Sequence, residues 1–108
     1  MKRYLGPRKV LKIYIDSNEI YKNRPVWEAI LILAKNKGVA TVTIFKGVEK
    51  IDTLLDPSQK LSVVIEMIDK EDKIMSFLNE IDSIIKDGLI TLSDTDVISY
   101  KHSKFNQE

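Results

Sequence analysis

Four stretches of the chain alternate apolar and polar residues in the way that is typical of a β-strand with one buried face. They are Val10–Ile15, Val39–Phe45, Leu61–Ile68, and a last strand composed of Leu89–Leu92 and Val97–Tyr100. The third stretch is apolar on both faces, which indicates a central strand. The polar run Ser93–Asp96 is predicted to interrupt the last strand as a bulge or a turn.

Two further stretches have the period of an amphipathic helix. The first helix is predicted to begin at Pro25 and to stop at Gly38. The second is predicted to follow Asp69, which we expect to act as its N-cap, and to stop at Gly88, which we expect to be a left-handed cap. Its apolar stripe consists of Ile74, Phe77, Leu78, Ile81, Ile84 and Ile85.

The order strand, helix, strand, strand, helix, strand is that of the ferredoxin-like split βαβ fold. We therefore predict one α+β domain over residues 1–108, with a four-stranded antiparallel sheet and both helices on one face. The first and third strands are expected side by side and parallel to each other, with the second and fourth as edges. The uncovered face carries Val10, Tyr14 and Val64 or the alternate residues of these strands, and its apolar character favours self-association.

Composition excludes several classes of protein. Seventeen Lys and Arg against sixteen Asp and Glu give a net charge of +1, so no overall positive field favours nucleic acid. The chain has no cysteine, which excludes thiolate zinc sites, iron–sulfur ligation and thiol catalysis. No apolar run approaches the ~20 residues of a membrane span, so we expect no direct membrane insertion and a cytoplasmic location.

The longest connection, Lys46–Lys60, lacks a sustained period, and connections of this length are often binding or regulatory segments. At its start, Lys46 and Gly47 offer a cation and a backbone N–H group that suit a phosphate. Glu66 stands in an otherwise apolar strand and needs a cationic partner if it faces an interface, because an unpaired buried carboxylate is costly. The candidate partners are Arg8, Lys12 and Lys46. A polar tail, residues 101–108, follows the last strand.

Six short blocks, in their order and spacing, resemble a family of small PII-like proteins catalogued as domain of unknown function one-nine-zero. The blocks are Lys12–Ile15, Pro25–Ile30, Gly38–Ala40, Thr43–Val48, Leu61–Glu66 and Gly88–Leu92. The resemblance runs through nearly the whole chain. One departure follows Gly47, where many members have a further Gly-aromatic-Gly element and this chain has Glu49–Asp52.

The resemblance implies a homotrimer with clefts between subunits, a loop after the second strand comparable to the T-loop, and an adenine nucleotide as effector. It implies a regulatory role without catalysis, in which the loop meets or releases a protein partner such as a transporter or channel. The candidate ligand-binding residues are Lys46, Gly47, Glu49, Glu66, Gly88 and Lys101. No catalytic residue and no resident cofactor are predicted.

Other functions of the same fold need residues that can be checked. An RNA-recognition module needs exposed aromatic residues on its central strands, and Leu61–Ile68 has none. An acylphosphatase-like enzyme needs an Arg-bearing phosphate loop after the first strand, and Asp16–Asn23 has neither the glycines nor the cations for one. Two alternatives stay open, a scaffold protein without ligand and a divalent-cation-binding or metal-tolerance trimer. The hard oxygen ligands of the second would be Asp16, Glu19, Glu49 and Asp52.

Overall fold

The computed structural model describes residues 5–47 and 61–99, and within them a sheet of four strands carries two helices on one face. The helices and strands are β1 Gly6–Ile15, β2 Ile20–Tyr21, β3 Arg24–Pro25, α1 Val26–Lys37, β4 Thr41–Lys46, β5 Val63–Asp69, α2 Glu71–Ile81 and β6 Leu89–Val97. The predicted α+β, ferredoxin-like architecture is confirmed. Most of the predicted connection Lys46–Lys60 and the whole tail 101–108 lie outside the described residues.

The strand order of the sheet is β4-β5-β1-β6, and every neighbouring pair is antiparallel. β1 and β5, the first and third predicted strands, are neighbours as expected, but the expectation that they run parallel is wrong. The crossover through α1 makes β1 and β4 parallel to each other, and β5 lies between them and runs opposite to both. β4 and β6 are the two edges, as predicted.

The core lies between the helices and one face of the two central strands. Leu11, Ile13 and Ile15 of β1 are fully buried, because alternate residues of a strand point to the same face. The other members of this buried cluster are Val26, Ile30, Ala34, Val63, Ile65, Met67, Ile74, Phe77 and Ile81. The two central strands and one stripe of each helix therefore supply the core, as their periodicity predicts.

The two helices end differently from each other. Gly38 terminates α1 in the left-handed conformation with φ 69°, and the N–H groups of Gly38 and Val39 donate to the last carbonyls, as predicted. α2 ends at Ile81, earlier than predicted. The next segment is a turn in which the N–H groups of Ile84 and Ile85 both donate to the Ile81 carbonyl. Ile84 and Ile85 pack against the core from this turn, so burial rather than helical structure explains their spacing.

Asp69 does not cap α2, contrary to our prediction. It is the last residue of β5, and its carboxylate accepts hydrogen bonds from the N–H groups of Ala40, at 2.9 Å, and Lys70, at 2.7 Å. Lys70 occupies the N-cap position without a side-chain cap, and Glu71 and Asp72 supply the acidic first turn. The buried Asp69 thus joins β5, the start of α2 and the connection that enters β4.

β6 is continuous, so the predicted interruption at Ser93–Asp96 is wrong. Its register on β1 runs without a break from Tyr14 opposite Leu89 to Gly6 opposite Val97. β6 is an edge strand and most of its residues are exposed, which is why polar residues occur there without a turn. One of them, Asp94, accepts a hydrogen bond from the Lys9 ammonium on the neighbouring strand.

A small hairpin, β2 and β3, precedes α1 where we predicted only a polar connection. Its two turn residues, Lys22 and Asn23, have φ angles of 49° and 67°. Positive φ at both central positions defines the type I′ turn that two-residue hairpins prefer. The sequence pattern did not reveal it, since Lys-Asn lacks the glycine that usually marks this turn.

Candidate functional site

Three of the predicted ligand residues lie at one end of the sheet, where β1 and β4 finish and β5 and β6 begin. We call this end, with Lys46, Gly47 and Gly88, the Lys46 end. β4 and β6 are opposite edges, so Lys46 and Gly88 are separated by three strand spacings, or roughly 14 Å. One copy of the chain therefore does not bring these residues together around a single ligand.

Lys46 is the last residue of β4 and lies on the helix-covered side of the sheet, in line with Val42 and Ile44. Its Nζ atom is 3.6 Å from the centroid of the Trp27 ring on α1. Gly47 follows with φ 77°, and a Cβ atom there would meet nothing within 4 Å. The pair thus places a cation and a backbone N–H group at an exposed strand end, and their binding of a ligand stays a prediction.

Gly88 is not a left-handed cap, which corrects our prediction. The glycines with positive φ in the described ranges are Gly6, Gly38 and Gly47. A Cβ atom at Gly88 would lie 2.6 Å from the backbone oxygen of Tyr14 and 3.1 Å from Cγ2 of Ile15. Gly88 is therefore required by the close approach of two backbones where the chain enters β6.

Glu66 lies on the uncovered face of the sheet and is not part of the Lys46 end. Of its three predicted partners, the structure selects Lys12, whose Nζ is 4.0 Å from Glu66 Oε2 on the neighbouring strand. Lys46 projects from the opposite face of the sheet and cannot pair with Glu66. The ion pair is only partly exposed, with 28% of the Glu66 side chain accessible.

The uncovered face carries both polar and apolar side chains around this ion pair. Val10, Tyr14 and Val64 lie on it, which decides between the two sets of residues that the sequence left open. Phe45 on one edge and Leu89 on the other extend the patch, with 47% and 40% of their surfaces exposed. Exposed apolar side chains on both edges of one face favour an interaction surface.

A cluster of carboxylates, which we call the carboxylate corner, lies where the chain leaves β1 and enters the hairpin. It consists of Asp16, Glu19 and Asp87. The Oε2 atom of Glu19 is buried, and no described residue donates a hydrogen bond to it. Burial raises the pKa of Glu19, and the nearby carboxylates of Asp87 and Asp16 raise the pKa further. The proximity of Asp87 to Glu19 is a tertiary effect that the sequence did not reveal.

Two predicted ligands of the cation-binding alternative lie at this corner. Asp16 and Glu19 belong to its predicted ligand set, but within residues 5–47 and 61–99 no group of three or more acidic or histidine side chains is arranged to hold a metal ion. Glu49 and Asp52, its other two ligands, lie outside the described residues, as does the predicted ligand residue Lys101.

Neither of the two helices in the described part of the chain is long and apolar enough to cross a bilayer.

The chain is similar in sequence to one family of proteins over most of its length. A model of the family described as Uncharacterized ACR, the DUF190 family, matches residues 8–97. A protein of Aquifex aeolicus named UPF0166 protein is 33% identical over 99 residues, which cover 84% of this chain and 93% of that one.

Two solved structures show the same fold. CPII of Thiomonas intermedia, described as bound to ADP, AMP and acetate, superposes with a TM-score of 0.68 at 17% identity, over 85% of this chain and 89% of CPII. The divalent ion tolerance protein CutA1 of Ehrlichia chaffeensis gives 0.62 at 19% identity, over 94% of this chain and 90% of CutA1.

Proposed function

Because the chain belongs to the DUF190 family, we propose that it is a non-enzymatic, PII-like regulatory protein that binds an adenine nucleotide or another small anion in clefts between subunits. It acts in the cytoplasm as a homotrimer. The observation that carries the proposal is the placement of the predicted anion-binding residues at the same end of the sheet but on opposite edges. Such a site is completed by a second copy of the chain.

The strand directions allow two copies to join in this way. β6 runs opposite to β4, so β6 of one copy beside β4 of the next continues the antiparallel alternation with both copies in the same orientation. The start of β6 then lies one strand spacing, about 4.8 Å, from the end of β4 in the neighbouring copy. Gly88 of one subunit and Lys46 of the other thereby form two sides of one cleft.

The uncovered face of the sheet supports the trimer. A head-to-tail contact between different edges closes into a ring when the rotation per copy divides a full turn. In a ring of three, the apolar faces around Val10, Tyr14 and Phe45 turn inward and are removed from water. The Lys12–Glu66 pair then lies in the interface, where its charges compensate each other.

The ligand chemistry follows from the groups available at the Lys46 end. The Lys46 ammonium is a point charge with three donors, and the backbone N–H of Gly47 is a further donor beside it at the end of β4. Both suit phosphate oxygens. CPII, a protein with the same fold, is described as bound to ADP and AMP. An adenine nucleotide is therefore the first ligand to test.

Regulation requires that the ligand bind one conformation of the protein more tightly than another. We propose that the ligand orders the Lys46–Lys60 connection, which then binds or releases a partner protein such as a transporter or channel. No catalytic step is part of the proposal, because the sequence contains no recognisable set of nucleophile, general base and oxyanion donor.

Thermal unfolding with ADP, AMP, ATP and divalent cations, together with the mass in solution, tests the proposal. We expect a trimer that is stabilised by a nucleotide, since ligands that bind only the folded state raise its stability by mass action. The shift should become clearly smaller in Lys46→Ala and stay unchanged in Lys35→Ala, which removes an exposed lysine near the opposite end of the sheet. A trimer stabilised by cations alone would favour the metal-binding alternative, and a monomer indifferent to both would contradict both.

A further inference from the structure

In the contact between Lys46 and Trp27, a long and flexible lysine side chain lies over an aromatic ring that packing holds in place. Trp27 is in the first turn of α1, half-buried, and packs against the hydrophobic core. Lys46 is exposed at the strand end. Its Nζ lies 3.6 Å from the ring centroid, well inside the roughly 6 Å at which a cation is attracted to an indole face.

The Lys46 charge is stabilised by the ring without being neutralised. Among the described residues no carboxylate forms an ion pair with Lys46, although four other cations at the surface do form such pairs. The negative face of an indole attracts a cation, but it uses only the part of the ammonium that faces it. Within the described residues, the N–H donors on the other side therefore form no ion pair and can face an anion.

From this geometry we propose that Trp27 is a positioning residue for the anion site: it holds the Lys46 ammonium at the Lys46 end in the orientation in which it receives a phosphate group. The inference rests on the proposed function, because it assigns a role within the same site. A lysine on an exposed strand end otherwise samples many rotamers, and a ligand that orders it loses affinity. Trp27 orders Lys46 before the ligand arrives.

The direction in which ligand affinity changes when the Trp27 ring is replaced distinguishes a positioning role from the opposite one, in which the ring competes with the ligand for Lys46. If Trp27 pre-orders Lys46, replacement of the ring weakens binding, by about three- to tenfold for the loss of one ordered long side chain. If the ligand instead had to draw Lys46 away from the ring, the same replacement would tighten binding. Tighter binding in a Trp27 variant would therefore overturn the proposal.

The test is calorimetric titration of the full chain with ADP and with inorganic tripolyphosphate. We expect affinity to decrease in the order wild type, Trp27→Phe, Trp27→Leu, because phenylalanine keeps an aromatic face and leucine keeps only apolar volume. Lys46→Arg should retain binding, since a guanidinium also stacks on an indole. In the Lys46→Met background, Trp27→Leu should have no further effect.

The double variant distinguishes positioning from a merely structural role. If Trp27→Leu weakens binding equally with and without Lys46, Trp27 acts through the fold and the inference is wrong, although the proposed function stands. If the wild type binds neither ADP nor tripolyphosphate, the proposed function itself fails. Thermal unfolding of each variant shows whether it is folded at the titration temperature, and Trp27→Phe is the variant least expected to disturb packing.

Trp27 is the only tryptophan, so its fluorescence reports directly on the contact. In the absence of ligand, Lys46→Met should shift the emission maximum, because it removes a charge from the face of the indole. Lys35→Met, which removes an exposed lysine at the other end of α1, should leave it unchanged. Identical emission from wild type and Lys46→Met would show that the ammonium does not occupy the ring and would overturn the proposal.

Discussion

Gly88→Ala tests whether the entry into β6 depends on close backbone approach. The added Cβ atom would lie 2.6 Å from the Tyr14 oxygen, about 0.8 Å inside the 3.4 Å at which ordinary contact begins. Tyr14 cannot move aside easily, because β1 pairs through backbone hydrogen bonds with β5 on one side and with β6 on the other. In the pairing with β6, Leu89 lies directly opposite Tyr14. Overpacking of this kind costs about 1–3 kcal/mol, and we expect the free energy of unfolding to fall by that amount.

A second substitution distinguishes crowding from backbone conformation. At Gly38, φ is 69° and the nearest atom to a new Cβ is the flexible Lys73 Nζ, at 3.9 Å. Asparagine tolerates the left-handed region better than alanine, so Gly38→Asn should destabilise less than Gly38→Ala. At Gly88 the Cβ itself clashes, so Gly88→Asn should be at least as destabilising as Gly88→Ala.

Urea unfolding followed by circular dichroism measures these differences at one fixed protein concentration, since self-association couples stability to concentration. For a chain of this size, a loss of 1 kcal/mol corresponds to roughly 4–8 °C in Tm. The reasoning would be refuted if Gly88→Ala were as stable as the wild type, or if asparagine rescued position 88 relative to alanine. The second outcome would restore the left-handed cap that the sequence suggested.

Three further substitutions test separate features of the structure. Glu19→Gln should stabilise the protein at neutral pH. The pKa of Glu19 is raised in the folded state, so the wild type loses stability as the pH rises from 4.5, the ordinary pKa of a glutamate, through the higher pKa of the folded state. A plot of Tm against pH should therefore be flatter for the variant, and an unchanged slope would contradict this reasoning. Asp69→Ala should lower the free energy of unfolding by about 1–3 kcal/mol in urea, because the N–H groups of Ala40 and Lys70 lose their carboxylate acceptor; a neutral result would show that these hydrogen bonds do not stabilise the fold. Lys12→Glu should shift the sedimentation of the assembly toward monomer, since it sets two carboxylates side by side, and the charge swap with Glu66→Lys should restore it; an unaffected trimer would place this face outside the interface.

The fold could be predicted from the sequence because burial imposes a period. Alternation at Leu11, Ile13 and Ile15 identified the buried face of β1, and the structure buries all three completely. The errors occurred where a residue type is compatible with two local structures. Polar residues at Ser93–Asp96 suit a turn or an exposed edge strand, and only the strand order decides between them.

The candidate site was less predictable, because periodicity identifies the face of a residue but not its distance from a residue on another strand. Lys46 and Gly88 adjoin the two predicted edge strands, so the predicted strand order already places two strands between them, but it gives no distance to a residue on a helix. The contact between Lys46 and Trp27 depends on how far α1 reaches over β4, a tertiary distance that no local pattern encodes. Strand order therefore carries the functional argument: residues that share one end of a sheet but occupy opposite edges become neighbours only through a second copy of the chain.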